Sequence, residues 1–331
     1  MKKRILSLVM TFTLGLLALI SGVSISGCGD KPAEKPISIL AIGSSYLRNS
    51  MDHVYPILES LGYDEIVLGN IYSSGCKINK HMENITNDTA FYEYRVVIDG
   101  KLQQKPVPNS NKKYDGGAHN NLNNPNHGEC YKMSDALNER DWDYVIINQG
   151  ATEGHIKETY DLLPNYFNYV KSKAPNAKIL FNIPWTFAVN CYAGSSREDI
   201  STALNALGSG GTRIEKQQRH YDMILDCVQT EVVPLNFDAL IPQVTVMANC
   251  RTSKLLETRI TYDPKTYGHA TEDFGRYMLG LSLVYHVTGA DITTITYKPS
   301  TVTDEEKAIA IESVVNAIAK PYEITQSLYV D

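Results

Sequence analysis

Apolar residues fall along this chain in two rhythms: short unbroken runs, and longer stretches with apolar positions three or four apart. The run Ile37-Ser-Ile-Leu-Ala-Ile42 closes on Gly43 and predicts a buried strand. From Asn49 to Gly62 the apolar positions Met51, Val54, Ile57, Leu58 and Leu61 keep helical spacing, and Gly62 ends the pattern. Glu65 to Tyr72, Asp143 to Ile147 and Lys178 to Ile183 read as further strands, and Glu231-Val-Val-Pro234 as a short fifth. Helical period marks Lys157 to Ala174, Thr212 to Thr230, Phe274 to Gly289 and Asp304 to Ala319. Strands alternating with helices predict an α/β fold with a central parallel sheet covered on both faces. Ligands of such sheets gather at the C-terminal ends of the strands.

One segment breaks the rhythm. Phe91 to Val97 and Leu102 to Lys105 flank Ile98-Asp99-Gly100-Lys101, the pattern of a β-hairpin with an Asp-Gly turn. Residues 106–129 are rich in Asn, Gly, His and Pro and read as a long loop, either a surface excursion or a lid over substrate. Together these make an insertion over about residues 90–130 of a domain spanning 37–331. No internal repeat or second domain boundary is visible.

The front end reads as an address. Lys2, Lys3 and Arg4 precede an apolar run over residues 5–25. This is the layout of a secretory signal, with an uncleaved N-terminal anchor as the alternative. Ile25-Ser26-Gly27-Cys28 resembles the bacterial lipoprotein signal, in which residues 1–27 leave and Cys28 carries the lipid. Residues 28–36 would then be a polar, Pro-containing tether. Either reading puts the folded part outside the cytoplasm, held at a membrane.

The charge argues against a nucleic-acid partner. Acidic residues outnumber basic ones by 37 to 31, and loss of the first three cations takes the net charge from −6 to −9. Beyond Cys28, Cys76, Cys130, Cys191, Cys227 and Cys250 are odd in number and contain no CxxC, so spacing assigns no pairs. His119, His127 and His155 sit in no HxH or HExxH frame, and no metal or cofactor is expected.

Candidate chemistry clusters at predicted strand ends. Gly43-Ser44-Ser45 offers a hydroxyl, although a serine there is commonly a helix cap. Ser73-Ser74-Gly75-Cys76 offers a glycine whose backbone can approach a substrate. Asn148-Gln149-Gly150 offers an uncharged amide donor for an oxyanion. His269 offers a base near neutral pH, with Asp263 six residues earlier to orient it. Each is weak alone; together they point to one edge.

The order of these blocks resembles the SGNH (GDSL-type) hydrolases. More narrowly, Ile39 to Ser45, Gly75-Cys76 with His81, Asn87 to Arg95, Trp142 to Gln149, and His269 with Gly275-Arg276-Tyr277 resemble a bacterial branch catalogued as a domain of unknown function. The likeness runs from about Ile37 to Gly289. It implies a three-layer flavodoxin-like fold and a serine esterase. Ser45 matches the nucleophile and His269 the base. The N–H groups of Ser45 and Gly75 with the Gln149 amide match the oxyanion hole. Ser44, Tyr46, His81, Asn148 and Trp185 are possible pocket residues, His81 more as structure than as chemistry. Two departures stand out: Ser44 where the family carries Asp or Asn, and Thr266 three residues before the histidine, where the family carries its acid. The resemblance implies an acylated small molecule or glycan as substrate, O-acetylated carbohydrate foremost. Tyr46, Trp185 and Tyr192 are candidates to stack on sugar rings. An inactive glycan-binding lipoprotein and a lipid-directed lysophospholipase are the alternatives.

Overall fold

The computed structural model describes residues 35–103, 131–262 and 268–330. The chain runs β1 (Ile37–Gly43), α1 (Ser45–Met51), α2 (Val54–Ser60), β2 (Ile66–Tyr72), α3 (Ile78–Thr86), β3 (Glu93–Ile98), β4 (Lys101–Gln103) and α4 (Met133–Leu137). It continues through β5 (Tyr144–Asn148), α5 (Leu163–Lys173), β6 (Lys178–Asn182), α6 (Glu198–Ala206), α7 (Arg213–Cys227), β7 (Ala239–Ile241) and α8 (Gln243–Cys250). Then come α9 (Glu257–Ile260), β8 (Thr261–Tyr262), β9 (His269–Ala270), α10 (Phe274–Thr288) and α11 (Asp304–Ala319).

Seven strands form one sheet in the order β4-β3-β2-β1-β5-β6-β7. β2, β1, β5, β6 and β7 are parallel. Counted alone, those five have the order 2-1-3-4-5, the doubly wound flavodoxin-like arrangement. The order reverses between β1 and β5, so the ligand crevice belongs at their C-terminal ends. The expected hairpin forms, with Asp99 (φ 46°) and Gly100 (φ 74°) as a two-residue turn of positive φ. It extends the sheet, because β3 pairs antiparallel with β2 from Val67↔Ile98 to Tyr72↔Glu93. The rest of the expected insertion, residues 104–130, lies outside the described residues, as do residues 1–34, where the signal segment (1–27) and most of the tether (28–36) are expected.

Strand alternation divides the core. Ile39, Ala41, Ile146, Leu180 and Ile241 face α1, α2, α8, α10 and α11. Leu40, Ile42, Val145, Ile147 and Phe181 face α3, α4, α5 and α7. The helix starts follow local chemistry. Thr212 caps α7 and Thr303 caps α11, each in a reciprocal capping box with the Glu three residues on. α10 stops at Gly289, whose φ is 67°.

Two expectations are corrected. The segment 231–234 is not a strand: Val228–Val232 winds as a π turn and Val233–Leu235 as a 3-10 turn, with the strand following at Ala239. Pro234 has no N–H for a ladder, which favours the turn. The helix read over 49–62 begins at Ser45 and breaks at Asp52-His53. Pro56 would clash with the carbonyl of residue 52 in a continuous helix. Among the described cysteines, Cys76, Cys191, Cys227 and Cys250 are buried and are not disulfide-bonded. Cys28 and Cys130 lie outside the described residues.

Candidate active site

β1 ends at Gly43, Ser44 is extended (φ −98°, ψ −170°), and Ser45 opens α1. His269 opens β9 of a small antiparallel hairpin in which Tyr262 pairs with His269. The fold brings the two together across 224 residues: His269 Nε2 lies 2.9 Å from Ser45 Oγ. Both side chains are half-buried, open to a ligand yet partly shielded from water. With the proton on Nδ1, Nε2 accepts the Ser45 hydroxyl proton. Asp263 and Thr266 lie outside the described residues.

Aromatic packing holds this pair. Tyr46, next to the serine, stacks on Trp185 with ring centroids 3.7 Å apart and planes 2° apart. Trp185 Nε1 donates to the Gly268 carbonyl at 3.0 Å, immediately before the histidine. Tyr262 stacks on the imidazole at 5.6 Å and Tyr46 meets it edge-on at 5.9 Å. Gly268 has φ 71°, and a Cβ there would lie 2.7 Å from Ala188 N, so only glycine lets the histidine segment sit this closely on the loop after β6.

Gly75 follows β2 in a turn closed by Cys76 N donating to Ser73 O at 3.2 Å. Ser73 N donates to Gly43 O at 3.2 Å, which ties this turn to the end of β1. Gly75 is exposed, its φ is 59°, and a Cβ there would meet open space.

The two amides differ in hydrogen-bond status. Gln149 Nε2 donates to the carbonyl and the hydroxyl of Thr159, both at 3.1 Å, and its Oε1 accepts from Ile78 N at 3.1 Å and Gly150 N at 2.8 Å. Its donors are spent, so Gln149 is a clamp between the loops after β2 and β5 rather than an oxyanion donor. Asn148 is the amide that faces the end of β1: a Cβ on Gly43 would lie 2.0 Å from its Oδ1. It is fully buried, and among the described residues neither Oδ1 nor Nδ2 has a hydrogen-bond partner. Asn182, in register with Asn148 on β6, is buried and unpaired in the same way. Asn182 was not singled out from the sequence, although a polar residue ending an apolar strand, as Asn148 does, was the available signal.

The remaining pocket expectations are corrected by burial. Tyr46, Trp185 and Tyr192 are core side chains and offer no ring to a sugar. Ser44 is buried, with its Oγ unpaired. His81 lies in the opposite core, 2.9 Å from Tyr92 Oη, and burial pushes its pKa down to about 3.

A family model described as a domain of unknown function, DUF4886, matches residues 125–317, more than half of the chain. The chain belongs to the DUF4886 family. A solved DUF4886 protein from Bacteroides uniformis is similar in fold: TM-score 0.72 and 21% identity, over 90% of this chain and 100% of that one. A chain from Slackia heliotrinireducens provisionally assigned as an SGNH hydrolase matches at TM-score 0.41 and 14% identity, over 77% of this chain and 100% of that one. Another from Parabacteroides merdae, provisionally assigned as a GDSL-like lipase, matches at 0.40 and 14%, over 77% and 97%. No curated protein matches. The matched DUF4886 segment contains Asn148 and His269, whereas Ser45 and Gly75 precede it.

Two clefts open on this DUF4886 protein, neither of them lined by Ser45 or His269. One of about 550 Å³ borders the Gly75 turn and is walled by Lys77, Thr152, Glu153, Arg197, Asp199 and Thr202. The other, about 330 Å³, lies between α1–α2 and strands β2–β3.

Proposed function

We propose that this protein is an extracytoplasmic serine ester hydrolase that removes O-acetyl groups from carbohydrate through an acyl-enzyme. The observation that carries the reading is the 2.9 Å contact between Ser45 Oγ and His269 Nε2 beside the point where strand order reverses. In acylation, Ser45 Oγ attacks the ester carbonyl while His269 Nε2 takes its proton. The oxyanion is held by the N–H groups of Ser45 and Gly75 and by Asn148 Nδ2, in place of Gln149. The intermediate collapses, the acyl group stays on Ser45, and His269 protonates the departing sugar hydroxyl. A water then attacks the acyl-enzyme, with His269 taking its proton and returning one to Ser45 as acetate leaves. Asp263 is assigned to hold Nδ1 and stabilise the imidazolium.

The choice of a hydroxylated substrate over a lipid chain, which would need an apolar trough beside Ser45, rests on the resemblance to the SGNH hydrolases. Lipid on Cys28 would tether the domain at a membrane, and no cofactor enters the cycle. The test is hydrolysis of an aryl acetate and of acetylated oligosaccharides. Ser45→Ala and His269→Ala should each lower kcat by on the order of 10³ or more, and not additively, because they act as one unit. Parental turnover in purified Ser45→Ala, or no ester cleavage by the parent, overturns the reading. Long-chain esters cleaved faster than acetates would move the substrate to lipid.

A further inference from the structure

We propose that the groove between α1–α2 and strands β2–β3 receives a carboxylate-bearing sugar of the substrate, with Arg48 as its principal anchor. The inference rests on the esterase reading and narrows its substrate to acidic glycans. Arg48 lies one turn beyond Ser45 on α1, and residues three apart on a helix share a face. The groove it lines measures about 330 Å³, the size of a sugar-scale site.

The charges in this groove are not all accounted for. Asp52 pairs with Arg276 at 2.5 Å, and Arg95 pairs with Glu93. Among the described residues no carboxylate pairs with Arg48. Its guanidinium instead lies 5.3 Å from the centroid of the Tyr72 ring, and its buried Nε has no hydrogen-bond partner among the described residues. Arg95 lies 5.6 Å from the centroid of the same ring. A guanidinium held on an aromatic ring keeps its in-plane N–H groups available, the arrangement that grips a carboxylate with two parallel bonds.

A second group in the wall points to the rest of the ligand. Asn70 is more than nine-tenths buried, and its Nδ2 is committed to the Ala41 carbonyl at 3.2 Å. Among the described residues its Oδ1 has no partner. A buried amide oxygen left unpaired is unfavourable, and it calls for a donor such as a sugar hydroxyl. An unpaired cation beside an unpaired acceptor matches a ring that carries both a carboxylate and hydroxyls.

The parent should cleave acetylated oligogalacturonide at least tenfold better, by kcat/KM, than an acetylated neutral oligosaccharide of equal length. In Arg48→Gln that ratio should fall about tenfold, with Arg48→Lys between the two because it keeps the charge and loses the fork. Equal parental ratios, or a ratio unmoved in Arg48→Gln, overturn the proposal. A measurement without that variant guards against misfolding: calorimetric titration of Ser45→Ala protein with oligogalacturonide, with a neutral oligosaccharide and with a sugar phosphate. Binding of the uronide alone, weakened by salt, is expected. Equal binding of all three, or preference for the phosphate, overturns the carboxylate assignment. Because this titration needs no turnover, an inactive parent that still binds uronide would sink the esterase reading and leave the groove intact.

Discussion

Asn148 and Gln149 are neighbours with opposite hydrogen-bond status, and that difference separates their roles. Gln149 spends its whole amide on Thr159, Ile78 and Gly150. Gln149→Ala should therefore leave buried backbone donors and acceptors unpaired, destabilise the fold by about 1–3 kcal/mol, and loosen the Gly75 turn. Asn148 spends none of its amide within the described residues. Asn148→Ala should leave the thermal midpoint unchanged or raise it, while kcat falls on the order of 10²–10³, the loss that follows removal of one oxyanion donor. Thermal melts and aryl-acetate kinetics on both variants read this directly. The reverse pattern, activity lost with Gln149 and stability lost with Asn148, would restore the assignment made from sequence. From the sequence, that assignment rests on block order. Block order put an amide at the end of β5, but side chains alternate along a strand, and one residue of register decides which amide shares a face with Gly43.

At the scale of elements, the catalytic contact depends on how the loop after β6 meets the turn before β9. Trp185 supplies a hydrogen bond and a stacked ring, and Gly268 supplies the close approach. Gly268→Ala must move its own segment or the Ala188 backbone, and it also strains a positive φ. It should lower kcat at least tenfold by shifting His269, a displacement for which a change of about 1 Å is enough. Trp185→Phe keeps most of the packing and loses the donor to Gly268, so it should show a milder version of the same defect. Normal kcat in Gly268→Ala would mean that His269 is held by something else. Neither link was readable from the chain, since both join segments some 80 residues apart. What was readable followed local rules: the apolar runs gave β1, β2, β5 and β6, the Asp-Gly pair gave the hairpin turn, and helical spacing gave α7, α10 and α11. α8 escaped because all eight of its residues are buried, which erases the one-sided pattern that marks a surface helix.

Across the whole molecule, three buried histidines make stability depend on pH separately from the active site. His81 sits between Tyr92 and Tyr166, and burial lowers its pKa to about 3. His155 and His220 pack with ring centroids 4.3 Å apart; burial lowers His155 to about 4 and His220 well below its ordinary value, with the neighbouring His155 and Arg251 adding to the second. In the unfolded chain each titrates near pH 6.5. Between that value and the depressed folded pKa the unfolded state binds more protons, so stability is complete above about pH 6.5 and drains as pH falls toward 4. Each histidine contributes a slope approaching about 1.4 kcal/mol per pH unit, so the three together give about 4. Asp273, held down to about 2 by Arg259 and by hydrogen bonds from Phe274 N and Thr301 that outweigh its burial, changes stability only below its unfolded pKa and does not disturb this window. Urea unfolding at about pH 7.5, 6 and 5 should show a steepening loss. In His155→Phe the slope should flatten by about one histidine's share, because burial alone keeps His220 neutral across this window. A stability that stays level from neutral pH to pH 5 would mean that these imidazoles are not held neutral by burial.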